Sequence, residues 1–218
     1  MKNLINQNVN EIFDEIIRKR RSIRTFKSMI PSKEIIKEII RAGAYAPYAA
    51  LAVTDISQYR RFYVFTKNHG YLDRINTYIK EAAKTNLEEL RKDLEKEPNF
   101  KEESESYKRR LESFAMNGFI RMSEVPCLVV IAEKRGLPSV ERQSLAHVLE
   151  NMWLKVTAMD MGMHLFSIIE SLSSSEEFSK LLKLNHGEYT YTGCVIGYPV
   201  TKSEKKEDIH VDKSITWY

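Results

Sequence analysis

The residues best suited to chemistry in this chain form one short run, Arg20-Arg21-Ser22-Ile23-Arg24, which we call the arginine cluster. Guanidinium groups bind phosphate oxygens two at a time and stay charged at physiological pH, and the Ser22 hydroxyl can donate one further hydrogen bond. Residues 18–27 contain six basic residues and no acidic one. The cluster therefore predicts an anion site. Two alternatives stay open. The arginines could instead stabilise the C-terminus of the preceding helix, as cations do, or they could form a solvated face, as charged runs often do.

No other motif in the sequence supplies a complete active site. G-x-S-x-G, a Walker lysine loop and H-E-x-x-H do not occur, and the five histidines are scattered, so we expect no metal site. His147 and His164 have no evident partner for proton transfer, and a surface or capping role suits His164 equally well. Cys127 and Cys194 are far apart in sequence, and we expect both to be buried. A phosphate-bearing cofactor that carries out the reaction itself would explain why the sequence offers so few catalytic residues.

The composition is that of an ordinary globular protein. Of the 218 residues, 43% are hydrophobic and 29% are charged, which argues against disorder and favours a single domain. The longest apolar run, residues 127–132, is too short to cross a bilayer, and the N-terminus lacks the apolar stretch of a signal peptide. We therefore expect a cytoplasmic protein with no membrane partner. Acidic residues are interleaved with basic ones nearly everywhere outside residues 18–27, so we expect no nucleic-acid partner.

The N-terminal apolar pattern predicts two helices that flank the arginine cluster. Apolar residues at helical spacing predict a helix over residues 8–20 that ends at the cluster. Ser32 is a suitable N-cap for a second helix, whose exit Gly43 would mark. A loop over residues 44–58 should follow.

The middle of the chain predicts a strand and a long charged helical region. Residues 61–66 alternate as a strand would, and a helix should follow Gly70. Residues 80–113 are dense in Lys, Arg and Glu and are interrupted at Pro98. We interpret residues 80–113, the charged excursion, as a solvent-facing insertion that could form a lid.

The C-terminal half predicts two buried strands separated by helices. Residues 125–133 and 191–198 are almost continuously apolar, which is typical of strands buried on both faces. Between them, the longest helix should begin at Pro138 and stop at Gly162, and a shorter one should end near residue 184. Long helices between strands favour an α+β sandwich. A doubly wound sheet is compatible with the pattern, but no G-x-G-x-x-G follows any predicted strand.

Four short motifs follow one another along the chain. A predicted helix is followed by R-R-S-x-R-x-F at residues 20–26. Ala46-Pro47, Glu150-Asn151-Met152 with Gly162, and Gly193 with Gly197-Tyr198-Pro199 come after it. In these motifs and in their order the chain resembles the nitroreductase family of FMN-dependent oxidoreductases. One short motif can arise by accident, but four in the right order do not. The resemblance implies a nitroreductase-like three-layer sandwich, with a central, mostly antiparallel sheet flanked by helices.

The same resemblance implies roles for the arginine cluster. Arg20 and Ser22 would bind the phosphate of FMN, with Arg21 beside them. Arg24 would reach the pyrimidine edge of the isoalloxazine ring, where a cation stabilises the anionic reduced flavin and raises its potential.

The loop after Ala46 departs from the family's polar pattern. Pro47 is followed by Tyr48 and by the apolar residues 49–53, so a side-chain partner for the polar edge of the flavin is lost. Pro47 and Tyr48 are the candidate contacts here. The loop backbone would substitute for the lost partner or FMN would bind less tightly, and Tyr48 would stack near the ring or remain an exposed loop residue.

The resemblance implies two further cofactor contacts, at residues that occupy corresponding positions in the family. Family members often place a Glu-Gly after the central helix, with a backbone amide facing flavin N5, and the counterpart here is Ile168 and Ile169. The family also places a C-terminal basic residue on the phosphate. Lys205 or Lys206 is the match, and a solvated tail is the alternative.

The resemblance implies a ping-pong oxidoreductase. NAD(P)H would deliver a hydride to flavin N5 and leave, and a nitroaromatic or quinone-like acceptor would then take the electrons at the same face. A homodimer with FMN in the interface is implied, to which the wide apolar helix at residues 145–159 would contribute. A different flavin reaction on the same fold, such as dehalogenation, flavin fragmentation or heterocycle oxidation, is one alternative. A non-enzymatic module that binds nucleic acid or a phosphorylated partner through residues 18–27 is another.

Overall fold

Four runs rich in β-branched and aromatic residues form an antiparallel sheet. The computed structural model describes residues 2–48, 55–201, 204, 206–207 and 209–218, so the predictions for residues 49–53 and for Lys205 lie outside the described residues. Within the described ranges the strand order is β1-β2-β4-β3, and every neighbouring pair is antiparallel. The strands are β1 Arg60–Thr66, β2 Cys127–Lys134, β3 Gly162–Leu165 and β4 Tyr189–Gly197.

Helices cover both faces of this sheet because the central strands are apolar on both sides. The described α-helices are α1 Lys2–Lys19, α2 Lys33–Ala44, α3 Tyr71–Lys96, α4 Lys101–Asn117, α5 Glu141–Ala158 and α6 Glu176–Leu181. Cys127, Val129 and Ile131 face one core with α2 and α5, and the residues between them face a second core with α3, α4 and α6. The predicted three-layer α+β fold is confirmed.

Local signals set several helix boundaries. The Ser32 hydroxyl accepts a hydrogen bond from the backbone N–H of Ile35 at 3.3 Å and caps α2, as predicted. A short 3-10 turn, Pro98–Phe100, separates α3 from α4. These two helices pack against each other and bury Ala83, Leu87 and Leu111, so the charged excursion is not wholly solvent-facing.

Of the two glycines predicted to end helices, Gly43 lies at the end of its helix and Gly162 does not. Gly43 is the last residue but one of α2, and an added Cβ there would lie 2.7 Å from Met152 Cγ, so this glycine also permits close packing of α2 on α5. Gly162 begins β3, a four-residue strand that was not predicted. The turn before β3 is made by Asp160, which has a left-handed φ of 53°. The longest helix is α3, with 26 residues, and not α5.

Candidate functional site

The arginine cluster lies along the edge of the sheet that β3 forms. The backbone N–H of Arg20 donates to Ile16 O at 3.0 Å and closes the last turn of α1. The chain then runs parallel to β3, where Ser22 pairs with Met163 and the N–H of Ile23 donates to Met163 O at 3.0 Å. An added Cβ on Gly162 would lie 2.8 Å from the Ile23 side chain, so the glycine allows this close pairing. The edge of β3 therefore fixes the backbone of the cluster.

The C-terminal segment is fastened beside the cluster. The N–H of Lys27 donates to Tyr198 O at 2.8 Å, and the N–H of Val200 donates to Thr25 O at 3.2 Å. Further along, the N–H of Lys206 donates to Arg18 O at 3.2 Å. These bonds bring a C-terminal lysine, Lys206, to the end of α1 where the cluster begins.

Arg20 and Arg21 have different surroundings. The Arg20 guanidinium lies 4.7 Å from the centre of a Trp153 ring, and its Nε lies 3.4 Å from Glu150 Oε1, so α5 holds this side chain. The Trp153 indole N–H donates to Arg21 O at 3.1 Å. Arg21 is exposed, lines a cleft of about 190 Å³ with Lys19, and has no carboxylate within 4 Å among the described residues.

Arg24 lies beside His164, a half-buried residue of β3. Burial, and then the charge of Arg24, lower the pKa of His164 to about 4, so the imidazole is neutral at pH 7. The two residues line a small pocket with Arg121 and Glu124, which pair with each other at 2.6 Å. Arg24 itself has no ion pair in the described part of the chain, so it supplies an uncompensated positive charge there.

Ile168 and Ile169 lie just beyond β3. They belong to a 3-10 segment, Ser167–Ser174, and both side chains are buried. The N–H of Ile169 already donates to Phe166 O at 3.1 Å, and its side chain packs over Gly193. No acceptor for the Ile168 N–H is found among the described residues, which makes Ile168 the more available backbone donor.

A large cavity opens between this 3-10 segment and the charged excursion. Its volume is about 530 Å³, within the range of small-molecule sites. Its lining comes from α3, α4, the start of α5 and the 3-10 segment: Asn86, Tyr107, Arg110, Leu111, Phe114, Arg142, Ser167, Ile168, Glu170 and Ser171. The charged excursion thus forms one wall of a site whose opposite wall continues from β3.

Pro47 and Tyr48 lie at the other end of α5 from the cluster. Pro47 O accepts from Ser144 Oγ at 3.0 Å, and Glu150, which pairs with Arg20, lies six residues further along the helix, about 9 Å in axial rise. The Tyr48 ring stacks on Tyr59 with centroids 4.3 Å apart, and its hydroxyl donates to Lys134 O at 2.9 Å. Tyr48 is therefore held by the protein and is not an exposed loop residue.

A buried ion pair that was not predicted holds this loop. Arg60 Nε lies 2.6 Å from Glu133 Oε2, and both side chains are fully buried. Arg60 also donates to the carbonyl oxygens of Ala46 at 3.1 Å and Pro47 at 3.4 Å, and to Ser144 Oγ at 2.8 Å. A signal was present in the sequence, since Glu133 ends the almost continuously apolar run of residues 125–133.

The family model of the nitroreductase family matches residues 17–198. The chain belongs to the nitroreductase family. Among solved structures of the same fold, a nitroreductase with bound FMN from Bacteroides fragilis has a TM-score of 0.67 at 19% identity, with 94% of this chain and 98% of that chain covered. A BluB-like flavoprotein from Clostridium difficile has a TM-score of 0.67 at 22% identity, with 94% of this chain and 98% of that chain covered. A nitroreductase with bound FMN from Desulfitobacterium hafniense has a TM-score of 0.66 at 20% identity, with 94% of this chain and 97% of that chain covered. No curated protein matches the chain.

The described part of this nitroreductase-family chain contains neither a metal cluster nor a membrane-spanning helix. Across the described ranges, no group of three or more His, Cys, Asp or Glu side chains is arranged to hold a metal ion. Over the same residues, no helix combines the length and the apolar character that a membrane span requires.

Proposed function

We propose that this protein is an FMN-dependent oxidoreductase. The observation that carries the proposal is the position of the arginine cluster, which lies at the end of α1, paired with β3 and beside the C-terminal segment. Solved structures of the same fold from Bacteroides fragilis and Desulfitobacterium hafniense are described as containing FMN. When bound, FMN would supply the redox chemistry, taking a hydride from NAD(P)H and passing it to a nitroaromatic or quinone-like acceptor.

The groups around the cluster suit a phosphate. Arg21 and Ser22 are exposed, and Arg21 is unpaired within the described residues. Guanidinium and hydroxyl donors of this kind make short, charge-assisted bonds to phosphate oxygens. We propose that Arg21 and Ser22 bind the phosphate together with Arg20, which Trp153 and Glu150 hold in place. Lys206 is the C-terminal cation whose backbone is fastened near the cluster, and Lys205 remains the second candidate.

Arg24 and Ile168 would contact the ring of the cofactor. Arg24 would lie at the pyrimidine edge, where its uncompensated charge stabilises negative charge that develops on reduction. The neutral His164 beside it adds no competing charge at pH 7. The Ile168 N–H, rather than that of Ile169, would face flavin N5, and Pro47 and Tyr48 remain candidate contacts at the far end of α5.

A second copy of the chain is the proposed partner. The apolar face of α5 that was expected to meet it is instead packed within the chain, against α2 and the sheet. The exposed apolar surface lies elsewhere. Exposed apolar side chains are frequent at the two ends of the chain and include Val9, Ile12, Phe13 and Ile17 on α1 and Ile209, Val211, Ile215 and Trp217 near the C-terminus. Burial of these apolar side chains in a homodimer would remove a surface through which the monomer could aggregate. We also propose that the 218 residues form one domain.

Flavin uptake and turnover test the proposal. Protein incubated with excess FMN and then desalted should retain a flavin spectrum, and should oxidise NADH or NADPH when menadione is the acceptor. The double variant Arg21→Ala/Ser22→Ala should bind FMN about 100-fold more weakly, because it loses two charge-assisted bonds. Arg91→Ala, which changes an exposed arginine of α3, is the matched control. A protein that takes up no flavin, or a double variant that binds FMN as tightly as the control, would contradict the proposal.

A further inference from the structure

The cavity of about 530 Å³ between the charged excursion and the Ser167–Ser174 segment carries an unbalanced charge. Arg142 Nε lies 2.6 Å from Glu170 Oε1, so these two charges compensate each other. Asn86 Nδ2 donates to Ser171 Oγ at 2.7 Å, so these neutral polar groups also satisfy each other. Arg110 has no carboxylate within 4 Å among the described residues, and it is the one cation of the lining without a counter-charge there.

The Arg110 side chain is associated with an aromatic ring. Its guanidinium carbon lies 5.7 Å from the centre of the Tyr107 ring, one turn earlier on α4, which is within the range of a cation–π contact. Such a contact restrains the guanidinium and leaves its N–H donors available, since a ring face accepts no conventional hydrogen bond. The result is a planar donor fork beside a planar ring, at the wall of an open cavity.

The rest of the lining offers apolar surface. Leu111 and Phe114 from α4 and Ile168 from the opposite wall contribute carbon atoms, and Leu111 and Ile168 are buried. Carbon surface of this kind suits a flat ring, and a single guanidinium suits a single carboxylate, which it binds through two parallel hydrogen bonds. A more highly charged ligand would leave part of its charge without a partner here.

We propose that this cavity binds a monocarboxylated aromatic molecule, with Arg110 on the carboxylate and Leu111, Phe114 and Ile168 against the ring. Ile168, whose backbone N–H would face flavin N5 in the proposed function, is one of the residues that line the cavity. The bound ring would therefore be the electron acceptor, a role that rests on the proposed function. For a nitro group the two-electron step converts ArNO₂, NAD(P)H and H⁺ to ArNO, NAD(P)⁺ and H₂O. One N–O bond breaks, the nicotinamide is oxidised, and the released oxygen leaves as water.

The test compares two acceptors that differ in charge and share a ring, 4-nitrobenzoate and 4-nitrobenzamide. Their kcat/KM values are measured with the FMN-loaded protein, and the ratio of the two is followed in the variants. Arg110→Gln should lower this benzoate-to-benzamide ratio about 10-fold, because it removes a charge-assisted pair at a partly solvated site. Arg109→Gln is the matched control, since Arg109 is the preceding residue on α4, is 71% exposed and does not line the cavity.

Binding is also measured without turnover. Saturation-transfer NMR with 4-nitrobenzoate on the full chain reports the cavity even if FMN is not taken up, so failure of the proposed function is distinguishable from failure of this inference. Loss of the benzoate signal in Arg110→Gln and its retention in Arg109→Gln would support the site. An unchanged ratio and signal, or equal losses in both variants, would overturn it. A raised KM for NAD(P)H with an unchanged acceptor ratio would also overturn it, because Arg110 would then serve the reductant.

Discussion

Replacement of Arg60 by Met should destabilise the protein strongly, because the change leaves a buried carboxylate without its partner. Arg60 and Glu133 are both fully buried, and Glu133 Oε1 has no hydrogen-bond partner among the described residues. Removing one member of a buried ion pair costs about 3–5 kcal/mol. Arg60 also makes the hydrogen bonds to Ala46, Pro47 and Ser144, so we expect a loss near the upper end of that range.

The destabilisation should depend on pH. Burial already raises the pKa of the Glu133 carboxyl above its ordinary value, and removal of the neighbouring guanidinium raises it further. A carboxyl whose pKa is higher in the folded state than in the unfolded chain destabilises the fold as pH rises above the unfolded value of about 4.3. The difference between Arg60→Met and the wild type should therefore be larger at pH 8 than at pH 5.

Urea unfolding, followed by circular dichroism at both pH values, measures these differences. The double variant Arg60→Met/Glu133→Leu is the matched comparison, since it removes both charges, and it should recover at least half of the lost free energy of unfolding. At this chain length, a loss of about 4 kcal/mol corresponds to a fall in Tm of roughly 8–16 °C. A loss below about 1 kcal/mol, or a double variant no more stable than the single one, would refute the reasoning.

Burial and exposure lead to three further predictions. The His164 imidazole should titrate near pH 4 in an NMR experiment, and a midpoint near 6.5 would show that it is neither desolvated nor affected by Arg24. Burial raises the pKa of Cys127 to about 12 and also raises the pKa of Cys194, so neither thiol should react with a disulfide reagent at pH 8 until the protein is unfolded; labelling of the native protein would contradict this. Phe13→Asp should convert the proposed dimer to a monomer in sedimentation velocity, whereas Asn10→Asp, an exposed change on the same helix, should not; an unchanged mass for Phe13→Asp would place the interface elsewhere.

Part of the fold could be predicted from local patterns because those patterns act over a few residues. The N-cap at Ser32, the break at Pro98 and the two central apolar strands were all predicted and are present. Gly162 was wrongly predicted to end a helix, since a glycine that permits close packing cannot be told from one that ends a helix until its neighbours are known. β3 was not predicted because its four residues carry too little periodicity to detect.

The sequence by itself determined the family and the chemical character of the arginine cluster, because guanidinium groups carry their charge and donor geometry wherever they are placed. Only the tertiary structure decided how those groups are used. It tied Arg20 to Trp153 and Glu150 and left Arg21 unpaired among the described residues, and it brought Arg24 to His164. It also joined Arg60 to Glu133 across 73 residues and placed Arg110 opposite Ile168. These pairings depend on contacts between distant segments, and no local pattern specifies which charges will find a partner.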